Sequence, residues 1–353
     1  MRTQTIDVLE CPACGAGSFS CHEWTFPSQR ANDVEEGFLT CDQCALVFPI
    51  LGGVLLWLPD SQTYLLKRNA ELQSLSATNQ LLISVRMREF LDNFAPAVQS
   101  VGFTPASWES DPGIQVYKRA QFAALLPKVE SRGHSCAAVE SLPGYRDFYE
   151  RCLDIVAPWC KPQHRIVDIG CGVGGFTYRL GKLSSWVLGL DYSLKAAHFA
   201  RTVMISNSRA SDPNPVSTKE VRKAHAIALA QLSGEIEIIA GDITSFPLRA
   251  NAFDVAVCLN VLEVVSQPEL LIQAAAKSVK QDGIFLLTTC FYWRIDRTES
   301  KHWLLDANNV KRCLSKHGFQ VLEHHERVLW VLPITERYTQ LWDSDIFLTR
   351  RVA

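Results

Sequence analysis

The sequence predicts an α/β protein, a doubly wound parallel sheet preceded by a small metal-stapled unit. Three observations carry that reading. An apolar, β-branched run, Arg165-Ile166-Val167-Asp168-Ile169, leads into glycines at every second position, Gly170, Gly172 and Gly174. Further apolar runs follow at 186–191, 235–243, 251–260 and 283–289, separated by amphipathic stretches. Strands alternating with helices in this way build a parallel sheet covered on both faces. Two Cys-x-x-Cys pairs, Cys11/Cys14 and Cys41/Cys44, stand apart near the N-terminus.

The totals set bounds on function. A chain of 353 residues that is 47% hydrophobic is long enough for one large domain and one or two small ones with a buried core. Net charge is −2 and the sequence pI is about 6.5, so no global basic excess favours a nucleic-acid backbone. The opening MRTQTIDVLECPAC has no apolar leader core, and the most apolar run, 45–58, is interrupted by Pro49, Gly52 and Gly53. That run is too short and too broken to span a bilayer. A cytoplasmic protein without membrane contact is expected. Of the 12 cysteines, four fall in the two pairs and the rest scatter, which points to one metal site and reduced thiols rather than a disulfide framework.

Residues 1–60 form the first expected unit. Each Cys-x-x-Cys presents two thiolates, and the intervening chain is long enough for a hairpin that returns the second pair to the first. Tetrahedral Zn2+ takes four such soft ligands, and four thiolates leave no open catalytic position, so the ion would be structural. The opening Leu9-x-Cys11-Pro12-x-Cys14 and the close Phe48-Pro49-Ile50…Leu58-Pro59 resemble the small zinc-ribbon subunit that activates methyltransferases acting on tRNA, rRNA and translation factors. Phe48 stands for the usual Tyr of that family, and Val54-Leu55 for Ile-Pro. The resemblance implies a ribbon that covers apolar surface of a catalytic domain in cis.

Residues 61–143 form the second expected unit. Tyr64 to Asn93 and Ile114 to Leu126 have helical spacing of apolar positions. Pro96, Pro105, Pro112 and Gly113 interrupt them. We read a helical connector that caps the site. His134 lies in an expected loop.

Residues 144–353 form the third expected unit. An amphipathic helix over 144–156 carries Tyr145 and Tyr149 on one face, where they are placed to roof a pocket or to pack. The glycine loop lets the backbone bend and lets a ligand approach without meeting a Cβ. Asp191, about twenty residues on, ends the second strand and can accept the hydroxyls of an adenosine ribose. Gly241-Asp242-Ile243 ends the third strand, Asn260 the fourth. Helices are expected over 176–183, 193–203 and 268–280, and further strands over 319–331 and 345–352. A polar link at 206–220 and a helical 221–232 exceed the usual connection and read as a surface excursion or a substrate-side lid.

The set Asp168-x-Gly170-x-Gly172-x-Gly174, Asp191, Gly241-Asp242-Ile243 and Phe253-Asp254 resembles the class I S-adenosylmethionine-dependent methyltransferases over about 144–352. The resemblance implies a Rossmann-like sheet of order 3-2-1-4-5-7-6 with strand 7 antiparallel. It also implies roles. Gly170, Gly172 and Gly174 would admit the aminocarboxypropyl end of S-adenosyl-L-methionine, and Asp168 would orient that region. Asp191 would take the ribose hydroxyls. Asp242 would accept from the adenine amino group with Ile243 against the ring, and Asn260 would lie near the methionyl part.

Substrates of open α/β sheets sit beyond the carboxyl ends of the strands. The aromatic run after the fifth strand supplies Tyr292, Trp293 and Trp303 as candidate substrate contacts. Glu263 and His302 are the candidate base or orienting residues, needed only if a hydroxyl is methylated. Trp293, Thr298 and Trp303-Leu304 resemble the ovothiol-biosynthesis domain that N-methylates a mercaptohistidine. Cys290-Phe291 and Leu305-Asp306 depart from it, which suggests a relative with another substrate. The expected function is methyl transfer to a small molecule, at nitrogen or sulfur of an amino-acid-derived or heteroaromatic compound. Two rivals stay open: an RNA or protein methyltransferase whose ribbon binds the macromolecule, and a non-catalytic cofactor-binding assembly partner. A homo-oligomer or a pathway-protein partner is open as well.

Overall fold

The computed structural model describes residues 1–24, 33–77, 81, 83–95, 110–122, 139, 145–206, 234–335 and 338–352. His134 and the 206–232 excursion beyond Ser206 lie outside the described residues.

The strands are β1 (Phe19–Glu23), β2 (Gly37–Cys41), β3 (Val47–Leu51), β4 (Val54–Trp57), β5 (Arg165–Ile169), β6 (Trp186–Asp191), β7 (Glu235–Gly241), β8 (Phe253–Leu259), β9 (Val279–Thr289), β10 (Phe319–Pro333) and β11 (Thr339–Arg351). They form one eleven-stranded sheet in the order β1-β2-β3-β4-β7-β6-β5-β8-β9-β11-β10. Its last seven strands have the expected 3-2-1-4-5-7-6 order. β5 to β9 pair in parallel, and β11 runs antiparallel to β9. This is the class I methyltransferase fold.

Burial follows the two-residue period of a strand. In β4, Leu56 joins the core on one face while Leu55 and Trp57 join the core on the other. In β5, Ile166 faces the first core and Val167 and Ile169 the second. All of these side chains are buried.

The helices are α1 (Ser61–Lys67), α2 (Asn69–Ala77), α3 (Val85–Phe94), α4 (Asp111–Phe122), α5 (Phe148–Val156), α6 (Gly175–Leu180), α7 (Leu194–Ser206), α8 (Pro268–Ser278) and α9 (Ala307–Lys316). The single helical stretch expected over 64–93 is three helices. α5 starts at Phe148 rather than 144, because the Asp147 carboxylate caps it by accepting from the Tyr149 and Glu150 amides at 3.0 and 3.1 Å. α8 passes directly into β9 at Val279, four residues before the expected strand. β11 begins at Thr339, not 345, because its partner β10 continues to Pro333 and pairs with it there.

The cysteine-bearing segment is joined to the larger sheet by main-chain pairing. β4 lies parallel to β7, with Trp57 opposite Gly241. The Trp57 indole N–H donates to the Pro247 carbonyl at 3.0 Å, and Leu9 bridges to Leu248. Behind this joint lies a buried ionic cluster. Arg201 of α7 donates to both Asp33 oxygens at 2.9 and 2.8 Å and to Glu237 of β7 at 3.0 Å. Gly53 passes directly over it, since a Cβ there would lie 2.2 Å from the guanidinium. With φ at +76°, that turn is one only glycine makes without strain.

Candidate functional site

The four paired cysteines converge. Their sulfurs lie within 4.8 Å of one another, with Cys11–Cys44 at 3.7 Å and Cys14–Cys41 at 3.6 Å. Thiolates bound about 2.3 Å from one tetrahedral ion stand roughly 3.8 Å apart, so this donor set fits zinc. Each pair sits in a tight turn. Gly15 N–H donates to the Cys11 carbonyl at 2.8 Å, and Ala45 N–H to that of Cys41 at 2.9 Å. The other chemistry lies elsewhere, at the carboxyl ends of the parallel strands.

A cavity of about 380 Å3 opens there, walled by the glycine loop, the ends of β6 to β8, α4 and Trp330 of β10. Its volume lies within the range of small-molecule sites. Three carboxylates, Asp168, Asp191 and Asp242, belong to its wall together with Gly170, Gly172, Ile243 and Asn260.

The glycine loop leaves β5 with φ of +75°, +55° and +85° at Gly170, Gly172 and Gly174. A Cβ on Gly170 would meet Val261 at 2.3 Å, and one on Gly174 would meet Ala200 at 2.8 Å. Gly174 is thus a packing glycine, close under α7. The Asp191 carboxylate accepts from Gly172 N–H at 2.8 Å and from Ser193 N–H at 2.8 Å. Asp242 caps the turn Ile243–Ser245 through Thr244, whose amide and hydroxyl both bond its Oδ1, at 2.8 and 2.7 Å. Asn260 has φ of +54°, a conformation that Asn tolerates better than most residues. Its side-chain oxygen accepts from Thr288 and Ser344 at 2.9 and 2.8 Å.

Asp168 lies at the floor. Burial drives its carboxyl up to about 7, against the Thr177 hydroxyl that hydrogen-bonds it at 2.7 Å. A raised folded value means that the native state holds this proton where the unfolded chain, near 3.9, has lost it. The associated stability is fully present below about pH 4 and is lost as pH rises through about 7. Asp168→Asn should therefore flatten the fall in melting temperature of the ligand-free protein between pH 4 and 8, as thermal unfolding at stepped pH would read. A profile identical to that of the parent would remove the assignment.

The connector contributes residues that spacing alone did not single out. Gln121 of α4 accepts from Gly175 N–H at 2.8 Å. Arg179, buried, holds Gln121 in place by donating to its carbonyl at 2.7 Å and to Glu150 at 2.7 Å. Ile114 and Tyr117 line the same wall, as do Tyr149, Trp330, Asp296 and Arg297. Burial pushes the Tyr117 hydroxyl up to about 12, aided by nearby acidic groups that include Asp191. Tyr145 is not part of this wall. The signal for Ile114 and Tyr117 was present as helical spacing, but nothing in it said which face of the helix meets the loop.

The aromatic run is placed differently from the expectation. Tyr292, Trp293 and Trp303 are not in the cavity wall. Tyr292 is exposed and packs edge-on against Trp342. Trp293 and Trp303 stack on each other, and the Trp303 indole donates to the Thr298 carbonyl at 2.8 Å. They form a clasp around the loop that carries Asp296 and Arg297. Glu263 and His302 are absent from the wall as well. Glu263 is buried beneath the loop, accepting from Cys290 and Phe291 amides at 2.6 and 2.9 Å and from the Thr289 hydroxyl. That carboxylate anchors the chain where it leaves β9. His302 sits on the turn Ser300–His302 at the far side of the loop.

Residues 167–287 match the family model described as a methyltransferase domain. This stretch is a methyltransferase domain. Among curated proteins, the chain is 26% identical over 160 residues to a ubiquinone biosynthesis O-methyltransferase of Glaesserella parasuis, covering 44% of this chain and 57% of that one. It is 30% identical over 130 residues to the mitochondrial ubiquinone biosynthesis O-methyltransferase of Schizosaccharomyces pombe, covering 37% and 39%. The chain thus spans about half the length, or less, of these relatives. Among solved structures, a complex between the Haloferax volcanii Trm112 methyltransferase activator and a methyltransferase aligns at 14% identity with a TM-score of 0.40, over 70% of this chain and 97% of that one. Magnesium protoporphyrin IX methyltransferase of Synechocystis PCC 6803, with bound SAH, aligns at 15% identity and a TM-score of 0.41, over 69% and 96%. Among the described residues, no helix is long and apolar enough to cross a membrane.

Proposed function

We propose that the chain is an S-adenosylmethionine-dependent methyltransferase that acts on a small molecule, at nitrogen or sulfur of an amino-acid-derived or heteroaromatic acceptor. One observation carries the cofactor reading. Carboxylates end three neighbouring parallel strands around a single cavity, and the left-handed glycine turn between two of them joins the cavity wall at Gly170 and Gly172. In this reading Asp191 accepts from the ribose, Asp242 from the adenine, and the glycine loop lets the backbone approach the aminocarboxypropyl end. S-adenosylmethionine, when bound, supplies an electrophilic methyl on a sulfonium. The chain's own residues hold the donor in line, exclude water and orient the acceptor, which is most of what such a displacement needs.

The acceptor reading is supported by the aromatic residues of the wall, Tyr117, Tyr149 and Trp330, and by the ion-paired Asp296 and Arg297 beside them. A flat acceptor suits that lining. The relatives are named O-methyltransferases, and a hydroxyl acceptor would need a base. A nitrogen or sulfur acceptor needs orientation more than a base, and the expected base candidates, Glu263 and His302, stand outside the wall. The four clustered cysteines are read as a structural zinc site, and residues 1–60 as a ribbon fused to the enzyme that serves it as an activator subunit in cis.

The test is to incubate the purified chain with methyl-labelled S-adenosylmethionine and, separately, a metabolite extract, total RNA and total protein. Label in the metabolite fraction is expected. Label confined to RNA or protein would replace the acceptor reading, and cofactor binding without any transfer would leave an assembly partner. Asp191→Ala should weaken cofactor binding by about 1–3 kcal/mol, the cost of stranding buried polar groups. Unchanged affinity in calorimetry would remove Asp191 from the site.

A further inference from the structure

We infer that Tyr64, on the first connector helix, is a positioning residue for the cofactor's ribose. This rests on the reading of Asp191 as the ribose acceptor. The segment from Asp191 to Leu194 has to turn from the end of β6 into α7 while holding its carboxylate toward the cavity. Most of its polar groups are met locally. Ser193 N–H donates to Asp191 at 2.8 Å, and Ala196 N–H donates to the Ser193 hydroxyl at 3.3 Å. Two are met from a distance. The Tyr64 hydroxyl donates to the Tyr192 carbonyl at 2.8 Å and accepts from Leu194 N–H at 2.9 Å.

One oxygen therefore bridges both ends of the turn, from 128 and 130 residues earlier in the chain. Geometry makes the bridge stiff. Tyr64 is buried, and its ring meets the Tyr192 ring edge-on at 5.4 Å. The Arg68 guanidinium lies 4.5 Å over the Tyr64 ring and 5.6 Å over that of Tyr192. Helix α1 is itself tied to the cysteine-bearing segment, since the Ser61 hydroxyl donates to the Val47 carbonyl at 3.1 Å. Tyr192 belongs to the cavity wall beside Asp191. A hydroxyl that fixes the carbonyl of 192 and the amide of 194 sets the direction of the residue before them. A buried amide or carbonyl stripped of its partner finds another by moving, and here movement of the turn carries Asp191 with it.

The test is a cycle between Tyr64→Phe and the ribose hydroxyls, read in binding rather than turnover. Dissociation constants for S-adenosylhomocysteine and for its ribose-deoxy analogues are measured on the full chain and on Y64F. We expect Y64F to raise the constant for S-adenosylhomocysteine by about 5–20-fold and to leave the analogues nearly unchanged, because they no longer use the ribose contact. With an acceptor in hand, KM for the cofactor should rise while kcat holds. Equal weakening for all ligands would overturn the inference, since it is the signature of a merely structural tyrosine, and so would unchanged binding of every ligand. Failure of the parent chain to bind S-adenosylhomocysteine at all would instead overturn the cofactor reading beneath it. Hydrogen exchange on the unmodified protein needs no variant. The peptide around Leu194 should exchange slowly without ligand, and rapid exchange there would also overturn the inference.

Discussion

Replacing Arg201 by methionine should destabilise the protein by about 3–5 kcal/mol, the usual cost of removing one partner from a buried ion cluster. Arg201 is almost fully buried. Its loss would take two hydrogen bonds from Asp33 and one from Glu237, leaving the Met1 ammonium, 2.9 Å from Asp33, as the cation beside them. Chemical denaturation reads the loss, and a change below about 1 kcal/mol would place the cluster among inert surface pairs. The pH dependence supplies a second check. Burial works against the ionised Asp33, but Arg201 and the Met1 ammonium beside it together outweigh that, and the carboxyl ends below its ordinary value. A depressed folded value gives stability that is present above about pH 4. That stability drains as pH falls through the lower folded value, and R201M should blunt this acid limb.

Removing the metal from the cysteine cluster should have a comparable effect. Elemental analysis is expected to find one zinc ion per chain, and Cys41→Ser, at a buried position within β2, should abolish it. Structural zinc contributes on the order of 10 kcal/mol to free zinc-finger peptides. Here β2 to β4 are also paired with one another and with β7, so a smaller loss, about 3 kcal/mol or more, is expected on chelation. It should appear as a lowered melting temperature and as early release of β1 to β3 in hydrogen exchange. Metal-free protein with the melting curve of the parent would sink the structural-zinc assignment.

The parallel strands were legible in the sequence because they are buried on both faces and so read as continuous apolar runs, with an acid or a glycine closing β5, β6 and β7. Asp168, Asp191 and Asp242 were legible for the same reason, as they occupy the strand ends where the pattern breaks, whereas Asp296, also in the wall, lies in the loop after β9. The cysteines declared themselves by spacing. What stayed hidden depends on contacts between distant parts of the chain. Gln121 and Tyr64 each bond backbone amides more than fifty residues away, and no local periodicity records that. The post-β9 aromatics misled because Tyr292, Trp293 and Trp303 have the composition of a substrate wall, yet Trp293 and Trp303 stack on each other. Glu263 misled likewise. A carboxylate near the strand ends can be a base or a brace, and only its bonds to the 290 and 291 amides decide.

The main-chain pairing of β4 with β7 has a mechanical consequence. A recruiting arm works by swinging on a hinge, whereas the described part of this segment is held by strand pairing to β7. It is spliced into the sheet beside the strand that delivers Asp242, with Trp57 fastened to Pro247 and Arg201 clamping Asp33 from behind. Force applied to the cysteine-bearing end would be transmitted along the sheet to the cavity rim rather than absorbed by a linker. Whatever grips that end holds the enzyme by a rigid handle, and it would be felt at the cavity as tension.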